Sequence, residues 1–202
     1  MLNTRMFAAT LLTARSRTLV RALAAGLPLI GLAIALSSHG GASPSATEFR
    51  YRDDCDPVTF DAAIGPGACI GNGGTTFQKL LRELQEDQTA GAWRINPDQT
   101  GLDSGDHTLI VSRGGELHTF TKVEKFGGGI VPLLNDLAGV PQIAPECQIN
   151  PAAFSPGSIP VFPGSSVPGP VAGTAGLPVG KTKFQCCIHP WMRTVVEVKS
   201  HH

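Results

Sequence analysis

Past residue 45 the apolar positions fall into two periods. Phe77, Leu80, Leu81 and Leu84 recur every three to four residues behind Thr75 or Thr76. That spacing predicts one substantial amphipathic helix ending near Asp87, with one of the two threonines as its N-cap. From Trp93 the period shortens. WRINPD, then HTLIVSR after the turn Ser104-Gly105-Asp106, then ELHTFTKV after Gly114-Gly115 are short and rich in β-branched or aromatic residues. Their close spacing predicts a small antiparallel meander. The chain closes with KTKFQCC and RTVVEVK, read as two strands around a tight turn at His189-Pro190-Trp191-Met192. Residues 126–180 hold 20 Gly or Pro out of 55, too many for regular structure apart from an edge strand at Ile159-Pro-Val-Phe162. No period of about 20–50 residues repeats, which excludes a solenoid.

The first 45 residues read differently. Arg5, Arg15, Arg17 and Arg21 precede Ala22 to Leu36, a run of 15 residues without a charge, after which small polar residues take over. This is the order of a secretory signal peptide, expected over residues 1–45 and cleaved near Gly40 to Ala46. The run is shorter than the about 20 residues a span wants. Gly26, Pro28 and Gly31 weaken it further, which leaves an uncleaved anchor as the alternative. Met6 is an alternative start. No cysteine precedes Cys55 and no two arginines are adjacent before it, so neither lipid attachment at the cleavage site nor the twin-arginine route is expected. The mature protein is expected to be soluble, without a membrane span, and periplasmic or secreted.

Charge changes the picture once the leader is set aside. The 16 basic and 16 acidic residues cancel over the whole chain, but all four leader arginines lie in an acid-free stretch, leaving 12 basic against 16 acidic residues. A mildly acidic body argues against nonspecific nucleic-acid binding, which needs clustered cations. With 24 Gly and 16 Pro, long helices cannot dominate, and 202 residues suffice for one turn-rich β domain.

The five cysteines, Cys55, Cys69, Cys147, Cys186 and Cys187, all fall in the exported part, where disulfides persist. An odd count leaves one sulfur without an internal partner. Cys55 and Cys69 flank the short loop DPVTFDAAIGPGA and read as a structural staple contributing about 3 kcal/mol. The stretch Cys186-Cys187-Ile188-His189-Pro190-Trp191-Met192 brings a thiolate, an imidazole and a thioether together at three-residue steps. These are soft to borderline metal donors. A further donor has to come from elsewhere, and His118, in the separate strand ELHTFT, is the candidate because neighbouring strands bring distant residues together.

Here the sequence resembles the cupredoxins, the small blue copper proteins, and among them the amicyanin and plastocyanin-like branch. The resemblance covers roughly Trp93 to Val198 and is carried by Gly180-x-x-x-Phe184-x-Cys186-x-x-His189-Pro190-x-Met192, the histidine-bearing strand before it and the valine-rich strand after it. It implies an all-β fold, a Greek-key β-sandwich over residues 93–202 with a Gly/Pro-rich insertion at about 126–178. Residues 46–92 would form a disulfide-stapled extension with the one helix. The resemblance further implies one copper ion held by His118, Cys186, His189 and an axial Met192, cycling between Cu(II) and Cu(I). Strand alternation agrees, since Phe184 and Cys186 point to one face and Gln185 and Cys187 to the other. Cys187 is then expected to bond Cys147. The family has an asparagine after the first ligand histidine, tying the two ligand loops; Thr119 stands there in this chain.

The function expected from this resemblance is a monomeric one-electron carrier and not an enzyme. A redox partner would dock on an apolar patch of Ile188, Pro190 and Trp191, beside His189 as the ligand nearest the surface. Two alternatives share these residues. One is a copper carrier or buffer without a redox role; the other is a metal-free structural β-sandwich with Cys186 or Cys187 used only for bridging. His107, Trp93 and the histidines at the termini, His39, His201 and His202, are read as structural or incidental.

Overall fold

The computed structural model describes residues 46–148, 157–174 and 176–200; the expected leader and the terminal histidines lie outside them. Two mixed sheets face one another. Strands β1 (Ala46–Arg52), β2 (Arg94–Asn96), β4 (His107–Ser112) and β7 (Ser166–Pro168) form the first, in the order β2-β1-β4-β7. The second holds β3 (Gln99–Leu102), β5 (His118–Val123), β6 (Ser158–Val161), β8 (Gly180–Gln185) and β9 (Arg193–Val198), in the order β3-β9-β8-β5-β6. β1 runs parallel to β4 and β3 parallel to β9, while the remaining pairs are antiparallel. The chain thus crosses repeatedly between sheets, as in a Greek-key sandwich.

The two-residue period explains the core. In β1, Phe49 and Tyr51 are buried while Arg50 and Arg52 are exposed. Phe49 meets Phe120 of β5 with ring centroids 5.3 Å apart, and Phe120 stacks on Phe184 of β8 at 4.2 Å. This aromatic column joins the sheets, and burying each such ring stabilises the fold by about 1.5–3 kcal/mol. Outside the sheets, α1 (Pro57–Ile64) and α2 (Phe77–Asp87) pack through Phe60 and Phe77, with Trp93 stacked on Phe60 at 5.9 Å. Asp56 caps α1 and Thr76 caps α2, each side chain accepting an N–H from the first turn.

Four expectations change. The segments WRINPD, HTLIVSR and ELHTFTKV do not form a meander. β4 is paired on both edges by β1 and β7, and β5 by β6 and β8, so Gly114-Gly115 carries the chain from one sheet to the other instead of closing a hairpin. Strand β1 precedes Trp93 yet lies between β2 and β4, so the sandwich takes in part of the segment expected as an extension. The 77–87 helix has company. α1 and α3 (Pro132–Leu137) each begin with a proline at the first turn, where its missing N–H is harmless. The 126–180 segment holds α3, a turn of 3-10 helix at Pro145–Cys147, β6 and β7, because Pro132 and Pro145 fall at helix starts and Pro160 and Pro168 on edge strands. Ile159-Pro-Val does form the expected edge strand beside β5. Among the described residues no helix is long and apolar enough to cross a membrane.

Candidate metal centre

Two disulfides form, Cys55–Cys69 and Cys147–Cys187, and Cys186 is left as the free thiol. Adjacent cysteines have separate fates because they leave the end of β8 on opposite faces. Cys186 enters the main core with Phe184, whereas Cys187 joins a second cluster with Cys147, Val123 and Ala144.

His118 opens β5, and the β8–β9 turn carries Cys186, His189 and Met192. That turn is tight: the Cys186 N–H donates to Met192 O at 3.0 Å and the Met192 N–H to His189 O at 2.9 Å. Cys186 Sγ lies 3.9 Å from His118 Nδ1 and 3.9 Å from His189 Nδ1, with all three side chains 0–2% exposed. These three donor atoms lie within 4.8 Å of one another. Met192 is buried beside them at 1% exposure.

The sequence reading did not reach the atoms behind the histidines. His118 Nε2–H donates to Asp53 Oδ2 at 2.9 Å, and both side chains are almost fully buried. That bond fixes the proton on Nε2 and turns the Nδ1 lone pair toward Cys186. Asp53 is itself held by the backbone N–H groups of Gly115 at 2.8 Å and Glu116 at 3.3 Å. Glycine is required in this turn. A Cβ at Gly114 would overlap the Asp53 carboxylate, and one at Gly115 would lie 2.3 Å from Gly71 N. His189 has a looser partner. Its Nε2 is 3.7 Å from Glu116 Oε2, an atom that also accepts the Trp93 Nε1–H at 2.5 Å. Glu116 lies in the bend just before β5, two residues ahead of His118, and that nearness in sequence is the one signal that pointed to this carboxylate. Nothing comparable pointed to Asp53, 65 residues away.

Electrostatics follows from the arrangement. Burial alone would raise the Cys186 thiol, but hydrogen bonding and positive charge from His118 and His189 outweigh it and hold Cys186 well below the usual thiol range. Burial alone would likewise neutralise His189, yet the Glu116 carboxylate and Cys186 push it up to about 10. His118 is raised against its burial by Asp53 and Cys186. Burial would also raise Asp53, but the hydrogen bonds from His118 and Gly115 keep it below the ordinary carboxylate value. In the metal-free cluster a thiol held low thus faces two imidazoles whose proton affinity is raised, each backed by an acid.

Thr119 takes up the tie between ligand loops. Its Oγ1 accepts the Cys187 N–H at 2.8 Å, its own N–H points at Cys186 Sγ at 3.4 Å, and Thr121 Oγ1 donates to it at 3.0 Å. Tyr51 adds a brace, donating to Thr119 O at 2.8 Å while its ring lies 5.0 Å from that of His118.

The surface around His189 departs from the expected open apolar patch. His189 is 2% exposed, Pro190 is buried, and Ile188 and Trp191 are only half-buried at the edge. Trp191 sets its ring edge-on to His189 at 5.4 Å. Residues of helices α1, α2 and α3 line, with Ile188 and His189, a mostly apolar, partly open pocket of about 270 Å³.

No protein-family model matches the chain, and no curated protein matches it. Among solved structures the chain is similar to a purple cupredoxin from Nitrosopumilus maritimus, at 16% identity and a TM-score of 0.35, over 55% of this chain and 87% of that one. It is similar to a dithionite-reduced auracyanin from Roseiflexus castenholzii at 13% identity and a TM-score of 0.34, over 79% of this chain and all of the other. The oxidised plastocyanin from Dryopteris crassirhizoma matches at 13% identity and a TM-score of 0.26, over 53% and 89%. The fold is defined by the strand pairing above, and the site by its own atoms: a two-sheet β-sandwich enclosing one free cysteine between two histidines.

Proposed function

We propose that this chain is an exported mononuclear copper protein of the cupredoxin kind that carries one electron at a time. The observation that carries this reading is the buried trio of Cys186 Sγ, His118 Nδ1 and His189 Nδ1 around one point, with the one free thiol as its centre. The donor set fits copper. A low-lying thiolate and two imidazoles would suit both Cu(I) and Cu(II), and buried Met192 would offer its thioether as a further donor. Copper bound there would supply a one-electron couple.

The chain's own residues do the remaining work. Asp53 and Thr119 hold His118 and Cys186 in place before any ion arrives, so little reorganisation accompanies a change of charge. Burial excludes water and with it exchange of the ion, which favours an electron carrier over a copper buffer. No substrate site is invoked, and the protein is read as a monomeric carrier and not an enzyme. Two disulfides suit an oxidising compartment, in keeping with the expected leader peptide.

Adding one equivalent of Cu(II) to the purified protein tests the reading. An intense visible thiolate-to-copper band, lost in Cys186→Ser, is the expected result. A colourless protein that binds Cu(I) tightly would make it a buffer instead, and one that binds neither ion would return Cys186 to the core as packing.

A further inference from the structure

The outer face of the first sheet carries a row of arginines that no carboxylate among the described residues neutralises. In β1, Arg52 points outward and pairs directly across from Arg94 of β2. On its other side β4 ends in register at Tyr51↔Ser112, and the next residue, Arg113, donates its N–H to Tyr51 O at 2.8 Å. The backbones of three arginines therefore stand at one level on three neighbouring strands, about 4.8 Å apart per strand, and the Arg94 guanidinium also donates to Gly91 O at 2.7 Å. Like charges facing each other across strands destabilise a sheet.

Relief is absent nearby. No carboxylate pairs with Arg52, Arg94 or Arg113 among the described residues, which include every Asp and Glu side chain. Arg50, one step along the same face, is taken by Glu48. The two acids that follow Arg52 are also engaged, Asp53 by His118 and Asp54 by the Thr75 hydroxyl and the Gly74 N–H. Arg50, Arg52 and Arg113 line an open recess of about 370 Å³ together with Asp53. Asp53 is the residue whose carboxylate lies 2.9 Å from His118 Nε2, so the recess is one side chain removed from the candidate centre.

We propose that this arginine row is where an acidic protein partner docks, and that exchange with it runs by way of Asp53 and His118. A partner carrying a line of carboxylates would neutralise the three like charges and gain on-rate from their field. The body of the protein is otherwise acidic and the row is short, which disfavours a polyanion such as DNA. The route through His118 rests on the copper reading; the docking itself does not.

The test uses the metal-free full chain, ¹⁵N-labelled, with hexacyanochromate(III) as a redox-inert, paramagnetic trianion and a Glu-rich decapeptide as the acidic-surface probe. Both are expected to act on the amides around Arg52, Arg94 and Arg113, and Arg52→Glu with Arg94→Glu should weaken decapeptide binding at least tenfold. Both substitutions are of exposed side chains, and dispersion of the amide spectrum reports that the variant is folded. Effects centred on Lys181 to Lys183 or on Ile188 to Trp191, or unchanged by charge reversal, overturn the proposal. Tighter binding of a short DNA duplex at the same amides overturns the assignment to an acidic protein. For the copper-loaded chain, oxidation of the reduced form by hexacyanoferrate(III) should slow with added salt in the wild type and lose that dependence in the double variant. Absence of the visible copper band would sink the copper reading while leaving the amide result to decide docking on its own.

Discussion

His118 and His189 face the same sulfur at the same distance, yet their supports differ. His118 begins a strand hydrogen-bonded on both edges, and its far nitrogen meets a carboxylate at 2.9 Å that is pinned by two backbone N–H groups. His189 rides a turn, its far nitrogen 3.7 Å from a carboxylate shared with Trp93, beside an apolar cavity roofed by helices. One side of the centre is built into the sheet; the other is covered by added elements. The difference assigns rigidity to the first and adjustment to the second, because sheet-borne sites hold geometry better than loop-borne ones.

The largest consequence concerns stability of the metal-free protein. Asp53→Ala leaves a buried imidazole and the Gly115 N–H without their partner, a loss expected to cost about 3–5 kcal/mol. Glu116→Gln keeps the shape and an acceptor for Trp93, so about 1 kcal/mol is expected. Urea unfolding followed by Trp fluorescence measures both. Equal losses would break the contrast between the two sides.

Copper affinity should follow the same order. Asp53→Asn is expected to lower Cu(II) affinity by about 10- to 100-fold, and Glu116→Gln by less than about tenfold, read by chelator competition. Since each carboxylate favours the more positive ion, the reduction potential should rise in both variants, more for Asp53→Asn. A larger rise from Glu116→Gln would place the controlling charge on the His189 side.

What the sequence revealed of this site was its local part. Cys186, His189 and Met192 lie within seven residues, so their spacing alone brings them together, and alternation along β8 separates Cys186 from Cys187. The helix at 77–87 and the strands at 107–112, 118–123, 180–185 and 193–198 were legible for the same reason: each is a periodic run. Sheet membership was not. Whether HTLIVSR pairs with ELHTFTKV depends on which strands already occupy their edges, and β1 and β7, which take the edges of β4, come from segments far away in sequence. Asp53 escaped because its role arises only when the Gly114-Gly115 turn brings β5 beside the end of β1. The covered His189 escaped because the helices that roof it had no counterpart in the resemblance.

A third contrast is in pH. Without copper, His189 titrates at about 10 instead of 6.5, so its contribution to stability is complete below pH 6.5 and is lost as pH rises toward 10. Cys186, held low, acts in the opposite sense, gaining stability until the unfolded thiol ionises near pH about 8.5. The two offset one another below that point, and the loss should emerge between pH about 8.5 and 10, amounting to about 2 kcal/mol at most for one proton. Glu116→Gln should flatten that alkaline limb. On the His118 side, Asp53 is held low, so its contribution is complete above the unfolded carboxylate value and is lost as pH falls through its folded one. Asp53→Asn should therefore flatten the acid limb and, because Asp53 is what raises His118, also remove that histidine's share of the loss on raising the pH while leaving the share of His189, a pattern visible in unfolding midpoints taken across pH.

The smallest effect isolates the roof itself. Thr76 caps α2 by accepting the Lys79 N–H, and α2 contributes Leu80 to the cavity beside His189 without touching the Cys186 thiol. Thr76→Ala should cost about 1 kcal/mol in urea unfolding while leaving the visible copper spectrum unchanged. If the helices serve only to shield His189, the same substitution should speed copper loss to a chelator, because the roof opens more often. If instead the spectrum shifts, α2 helps to set the position of His189, and the adjustable side of the centre is more tightly built than its 3.7 Å contact implies.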